Sequence, residues 1–371
     1  MYAPATSNNP IHDPISELNN YLDVTKPPRY TFALFQNAEM KLEEMNKRPN
    51  TIIQNFDIDN VMFTDPQSFE RRKIMIRSLH DVAYRKSAGP SEPNLKGSLI
   101  DFVEDKQKTP ISPCCGNVTS CIPRFQTTVE KWRDSVYMKA LVQHLEKHAP
   151  NMERVDTIIG YGLGCLAFQG LDPSEIEPWT EHPQRVWLQH LTCHIIKNVL
   201  ERVQGTAGRI KIYAQDPEYC PNCISLLGGQ GITASNSPTK YLAQEALLNK
   251  HTFVVSKAPT APIRQVVFDL TADCGGPAGI LCDKTLGEED EDTKSPRQET
   301  TFADPPSDRW CEYVHKNHGR CLAFDDSEEP GDDDYVWGEI KVKGPRAVYR
   351  GKECSWSVFE DARIYLKERS G

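Results

Sequence analysis

A short apolar run closes on three alternating glycines in Val155-Asp-Thr-Ile-Ile-Gly-Tyr-Gly-Leu-Gly164. A strand of a parallel sheet is buried on both faces, so it reads as a continuous apolar run. Glycines directly behind it let the chain turn tightly and let a ligand approach the backbone. In an open α/β sheet this edge is where the ligand crevice lies. One segment thus constrains both the architecture and the place to look for a site.

The sequence downstream supports the same architecture. Apolar spacing predicts a helix over 126–149, closed by Pro150. Strands are expected over 155–161, 209–214, 231–234, 252–256 and 277–282. Helices are expected over 184–203, within 220–227, over 237–249 and over 262–270. Alternating strands and helices argue for βαβ units with right-handed crossovers. The expected fold is a three-layer, Rossmann-like α/β sandwich with a parallel sheet of about five strands, occupying 126–285.

Two extensions flank this core. Residues 1–125 are expected to be partly helical (30–46 and 68–84) and partly disordered, with a Ser-, Pro-, Gly- and Lys-rich loop over 86–124. Arg71, Arg72, Lys73 and Arg77 read as a solvated helix face. Residues 286–371 start with an acidic linker, five consecutive acids over 288–292, and carry a second acidic stretch over 325–334. Structured pieces are expected at 309–315, 335–342 and 347–350, with a helix over 356–368, all docked on the core.

The net charge of −9 argues against a broad nucleic-acid-binding surface. No apolar run is long enough to span a bilayer. The start of the chain lacks the basic and apolar regions of a secretory signal. The twelve cysteines are scattered through a long chain, so reduced thiols in a cytoplasmic or nuclear protein are expected.

Four pieces of the core together resemble the SRR1-like domain ("sensitivity to red light reduced"), in its fungal form. Ile158-Ile-Gly-Tyr-Gly-Leu-Gly164 is similar to the opening strand and glycine turn. Arg185-Val-Trp-Leu-Gln-His-Leu191 resembles the next helix. Ile212-Tyr-Ala-Gln-Asp-Pro217 and Leu226-Leu-Gly-Gly-Gln-Gly-Ile232 resemble the strand ending in Asp-Pro and the following turn. Thr252-Phe-Val-Val-Ser-Lys-Ala-Pro259 with Pro262-Ile-Arg-Gln-Val266 is similar to the fourth strand and its exit. Many members carry Pro-His-Cys there, whereas Pro259 is followed by Thr260 and Ala261, so no role of that His and Cys carries over. The resemblance implies an α/β core and a regulatory protein acting through protein partners; it implies no established reaction.

The residues themselves nominate a site. Gly160, Gly162 and Gly164 bring backbone N–H groups to the head of the sheet. Their Gly-x-Gly-x-Gly spacing is nearer the methyltransferase form than the dinucleotide fingerprint. The proline-bearing insertion 166–183 parts the turn from its helix and weakens a pyrophosphate cradle. Asp216 follows strand two, where an acid can accept from ribose hydroxyls. It stands 52 positions past Gly164, and an Asp before Pro217 is also an ordinary turn starter. Tyr161 and Pro259 are placed at the rim. A packing role for the glycines and Asp216 stays open beside the ligand role.

Other motifs point less far. Cys220-Pro-Asn-Cys223 has the thiol-exchange spacing, but zinc needs further ligands, and Cys114, Cys115 and Cys121 have no standard spacing to supply them. No metal site is therefore expected. His190/His194 and His144/His148 stand at i,i+4 without the Glu of a zinc helix and read as surface or core-edge histidines. Trp132, Phe168 and Trp187 read as core. No nucleophile elbow or phosphate loop occurs. Catalytic residues are unassigned. The expectation is an SRR1-like regulatory protein whose pocket takes a nucleotide-like molecule. An S-adenosylmethionine-dependent methyltransferase and a non-catalytic scaffold with a vestigial pocket are the alternatives.

Overall fold

The computed structural model describes residues 25–47, 72–79, 99–104, 136–166, 183–257, 259–283, 304–317, 321–323, 348–349, 352–353 and 362–369. In chain order the elements are α1 (Phe32–Lys47), β1 (Arg72–Ile76), β2 (Ile100–Glu104), α2 (Val136–His148), β3 (Thr157–Tyr161), α3 (Pro183–Gln204), β4 (Lys211–Gln215), α4 (Pro221–Gly229), β5 (Ile232–Ser235), β6 (Thr252–Ser256), α5 (Ile263–Leu270), β7 (Gly279–Asp283), α6 (Asp308–Asn317), β8 (Cys321–Ala323), β9 (Val348–Tyr349), β10 (Lys352–Glu353) and β11 (Ala362–Leu366). No helix among the described residues is long and apolar enough to cross a membrane.

The molecule is an α/β protein built on a seven-stranded, mostly parallel mixed sheet, ordered β5-β4-β3-β6-β7-β11-β8. The arrangement is consistent with a Rossmann-like core. β3 pairs in parallel with both β4 and β6, β4 with β5, and β6 with β7. The chain steps outward from β3 through β4 to β5, then returns to the other side of β3 through β6 and β7. That reversal makes the C-terminal ends of β3 and β6 the topological switch point of the sheet.

Strand periodicity divides the core in two. Ile158, Ile212, Phe253, Val255 and Leu281 face one side, packed with Leu145 of α2, Val186 and Leu200 of α3 and Leu227 of α4. Ile159, Tyr161, Val254 and Ile280 face the other, packed with Phe35 of α1, Val266 and Phe268 of α5 and Trp310 of α6. Helices thus cover both faces. Trp187 is buried as expected, whereas Trp132 and Phe168 lie outside the described residues.

Several segments differ from the sequence expectation. The sheet has seven strands rather than about five, because two strands from beyond residue 285 enter it. β11 runs antiparallel between β7 and β8. The helix expected over 356–368 is in its described part this strand. All five of its residues are buried, so it lacks the alternation that marks a one-faced strand. Within 68–84, Arg72–Ile76 form strand β1 in place of the expected helix, and helical backbone is reached only at Leu79. Ile74 and Ile76 pair with Phe102 and Ile100 of β2, a strand within the expected loop. The pairing partner, not the local charge pattern, decides the conformation.

The helix expected over 237–249 is a series of turns. Pro238 stands near its start, and Ser237 and Thr239 hydroxyls donate to Glu39 of α1. These bonds offer the chain an alternative to a helical ladder. The expected pieces at 309–315 and 347–350 correspond to α6 and β9; the one at 335–342 lies outside the described residues.

Candidate functional site

All six residues nominated by the sequence meet at the C-terminal edge of the sheet. β3 ends at Tyr161, and the turn behind it needs Gly162 at φ +66° and Gly164 at φ +83°. These are left-handed values that side chains disfavour. The Gly162 N–H donates to the Gln215 carbonyl (3.0 Å) at the end of β4. The Gly164 N–H donates to Asp216 Oδ2 (2.6 Å).

Asp216 does more than meet the turn. Its Oδ1 accepts from the Glu218 N–H (2.8 Å), and its own N–H donates to the Ser235 carbonyl (3.1 Å) at the end of β5. One nearly buried residue thus links the exits of β3, β4 and β5. Asp216 thus starts its own turn, as an Asp before Pro217 can, and it also holds the glycine turn.

Close packing surrounds the glycines. A Cβ on Gly162 would lie 3.1 Å from Pro259 Cβ, and one on Gly164 would lie 2.8 Å from Val186 Cγ2. A Cβ on Gly160 would strike the Leu163 side chain. Pro259, reached after β6, therefore packs on the turn itself. The turn is filled on these sides by protein.

The unpaired polar groups lie on the other flank. Tyr161 pairs in register with Gln215. Gly160 pairs with Val255, so Ser256 is the residue beside Tyr161 on β6, and Ser256 in turn pairs with Cys282. Matched positions on parallel neighbours face the same side. Tyr161, Ser256 and Gln215 thus form a polar row along the strand ends, at the switch point. Gln215 is fully engaged: Oε1 accepts from the Tyr241 N–H (2.7 Å), and Nε2 donates to the Pro238 carbonyl (2.6 Å).

Tyr161 and Ser256 are not engaged. Both side chains are buried, yet neither the Tyr161 hydroxyl nor Ser256 Oγ finds a hydrogen-bond partner. A buried hydroxyl left so costs about 1–3 kcal/mol. Burial, with a smaller push from Tyr241, drives the Tyr161 pKa far up, so it is a neutral donor. Just beyond the row, Lys257 bonds to Asp283 at the end of β7. Sequence reasoning named Tyr161 and passed over Ser256. The pairing of β3 with β6 was the missing information.

The opposite flank carries sulfur. Cys220 is the N-cap of α4, its sulfur accepting from the Cys223 N–H at 3.4 Å. Cys165, one residue past the glycine turn, brings its sulfur to 3.1 Å from that of Cys223. The three sulfurs lie within 4.8 Å of one another. Next to them, His190 is buried, with Nδ1 2.7 Å from the Val186 carbonyl and Nε2 2.6 Å from the Tyr219 hydroxyl. Burial lowers its pKa to about 4. The neutral ring therefore donates from Nδ1 and accepts at Nε2 from Tyr219. His190 belongs to the core rather than its edge, whereas His194 is half-buried.

Cys165 went unread in the sequence as a partner of the Cys-x-x-Cys pair. Its signal was position: Cys165 and Cys220 each follow shortly after a strand end, and parallel neighbours put those exits side by side.

No family model matches the chain, and no curated protein or solved structure matches it either.

Proposed function

We propose that this chain is an SRR1-like regulatory protein whose α/β core receives a nucleotide-like small molecule at the ends of β3 and β6. The observation that carries the reading is the pair of buried, unpartnered hydroxyls of Tyr161 and Ser256 at the switch point. Buried polar groups are nearly always satisfied, so two orphans side by side mark a place prepared for a polar visitor. The glycine turn walls the site on the other flank, and Asp216 keeps that turn in shape. Action on protein partners belongs to the same reading and rests on the sequence resemblance.

A thermal-shift screen of the full chain against S-adenosylmethionine, S-adenosylhomocysteine, NAD(P) and common nucleotides tests it, with native mass spectrometry for a copurified ligand. Saturation at about 100 times Kd stabilises by about 2.7 kcal/mol. A shift is expected from one of these classes. The absence of any shift and of any copurified ligand overturns the binding reading in favour of a scaffold with a vestigial pocket.

A second reading, S-adenosylmethionine-dependent methyl transfer, is favoured by the strand order. An antiparallel β11 between β7 and β8 is the arrangement that methyltransferases using this cofactor add to a Rossmann-like sheet. This is a likeness of fold, and a fold alone carries no chemistry. Preferential stabilisation by S-adenosylhomocysteine over nucleotides would bring it forward.

A further inference from the structure

We infer that Cys165, Cys220 and Cys223 form a thiolate site for a soft divalent cation of the zinc class. The site lies on the flank of the glycine turn opposite Tyr161 and Ser256, and it is independent of the small-molecule reading.

Three sulfurs converge from two separate stretches of chain. Cys220 and Cys223 come from the start of α4, and Cys165 comes from the exit of β3. The sulfur of Cys223 is 3.1 Å from that of Cys165 and 3.6 Å from that of Cys220, and all three fall within 4.8 Å. Zinc–thiolate bonds of about 2.3 Å set at tetrahedral angles place sulfurs about 3.8 Å apart. Two of the spacings fall a little short of that edge and the third lies within 4.8 Å, so one ion reaches all three with small side-chain adjustments. None of the three is in a disulfide. A Cys165–Cys223 bond would need sulfurs at about 2.05 Å and would leave Cys220 unused.

The surroundings suit the charge. Binding exchanges three thiol protons for one divalent ion, releases three protons and leaves the centre with a net charge of −1. That charge sits at the N-terminus of α4, where the Cys223 N–H already donates to Cys220 Sγ and the helix dipole favours an anion. Cys220 and Cys223 are buried and Cys165 is half-exposed, so the ion is shielded on two sides. A fourth position stays for water or an external donor, as in open zinc sites. The ion would tie the glycine turn to the start of α4, beside the Asp216 clamp.

The test uses the full chain, expressed with added zinc and purified without chelator. Its metal content is measured by elemental mass spectrometry. The chelator-stripped protein is then titrated with Co²⁺, whose thiolate charge-transfer band reports sulfur ligation. About one equivalent of metal per chain and a saturable thiolate band are expected. Cys223→Ser and Cys220→Ser should each drop the retained metal to background. Serine is a favoured N-cap, so Cys220→Ser preserves the start of α4 and separates metal loss from misfolding. The Co²⁺ titration of the unaltered chain needs no variant at all. Retention of no metal with no thiolate band overturns the inference. So does peptide mapping that finds a Cys165–Cys223 disulfide in the protein as isolated.

Discussion

The two flanks of the glycine turn solve opposite problems. On the β4 side the polar groups are paired: Asp216 takes the Gly164 and Glu218 N–H groups, and His190 takes Val186 and Tyr219. On the β6 side Tyr161 and Ser256 are equally buried and unpaired. The first flank fixes the shape of the turn. The second leaves hydrogen-bonding capacity unspent where an open α/β sheet receives its ligand. Glycines and an acid at a strand end therefore do not by themselves locate a ligand. Here they build the wall, and the unpaired hydroxyls stand beside it at the switch point.

Disturbing the clamp tests this contrast most strongly. Asp216→Ala strands two backbone N–H groups and should destabilise by about 4 kcal/mol, measured by urea unfolding. A loss below about 1 kcal/mol would make the clamp incidental.

The same flank predicts a pH dependence. The folded-state pKa of His190, about 4, lies below its ordinary 6.5 because burial disfavours the charged ring. Between those values the unfolded chain binds more protons, so stability rises with pH. The contribution is present above pH 6.5 and is lost as the pH falls towards 4, amounting to about 3 kcal/mol. His194, whose pKa is also lowered by burial, acts in the same direction. His190→Gln should remove most of the slope in unfolding measured across that range; an unchanged slope would assign it elsewhere.

The glycines should rank by flank. Gly164→Ala meets Val186 as well as a positive φ and should lose about 3 kcal/mol by thermal unfolding. Gly162→Ala meets Pro259 less closely and should lose about 2 kcal/mol. The reverse order would place the tighter wall on the Pro259 side.

Much of this was legible in the sequence, for identifiable reasons. The strand at 155–161, the glycine turn, Asp216 and the helix over 184–203 announce themselves locally, through apolar runs, turn chemistry and helical spacing. The five parallel strands follow from their alternation with helices. What could not be read depends on partners far along the chain. β1 is a strand because β2 lies beside it, and β11 because β7 and β8 enclose it. Ser256 gains its meaning from standing next to Tyr161, and Cys165 from the parallel exits of β3 and β4. The 237–249 segment carries helical spacing, yet Glu39 of α1 captures its first hydroxyls.

The variant expected to lose no stability carries the most about function. Tyr161→Phe combined with Ser256→Ala removes two buried hydroxyls that bond to nothing, so the fold should lose no stability and should gain about 1 kcal/mol or more. The decisive measurement is the ligand-induced melting shift of this double variant beside that of the unaltered chain. The account predicts a variant that melts at or above the parent and loses the parent's shift with S-adenosylmethionine or nucleotide. A variant that keeps the full shift would contradict it, and so would a parent that shows none.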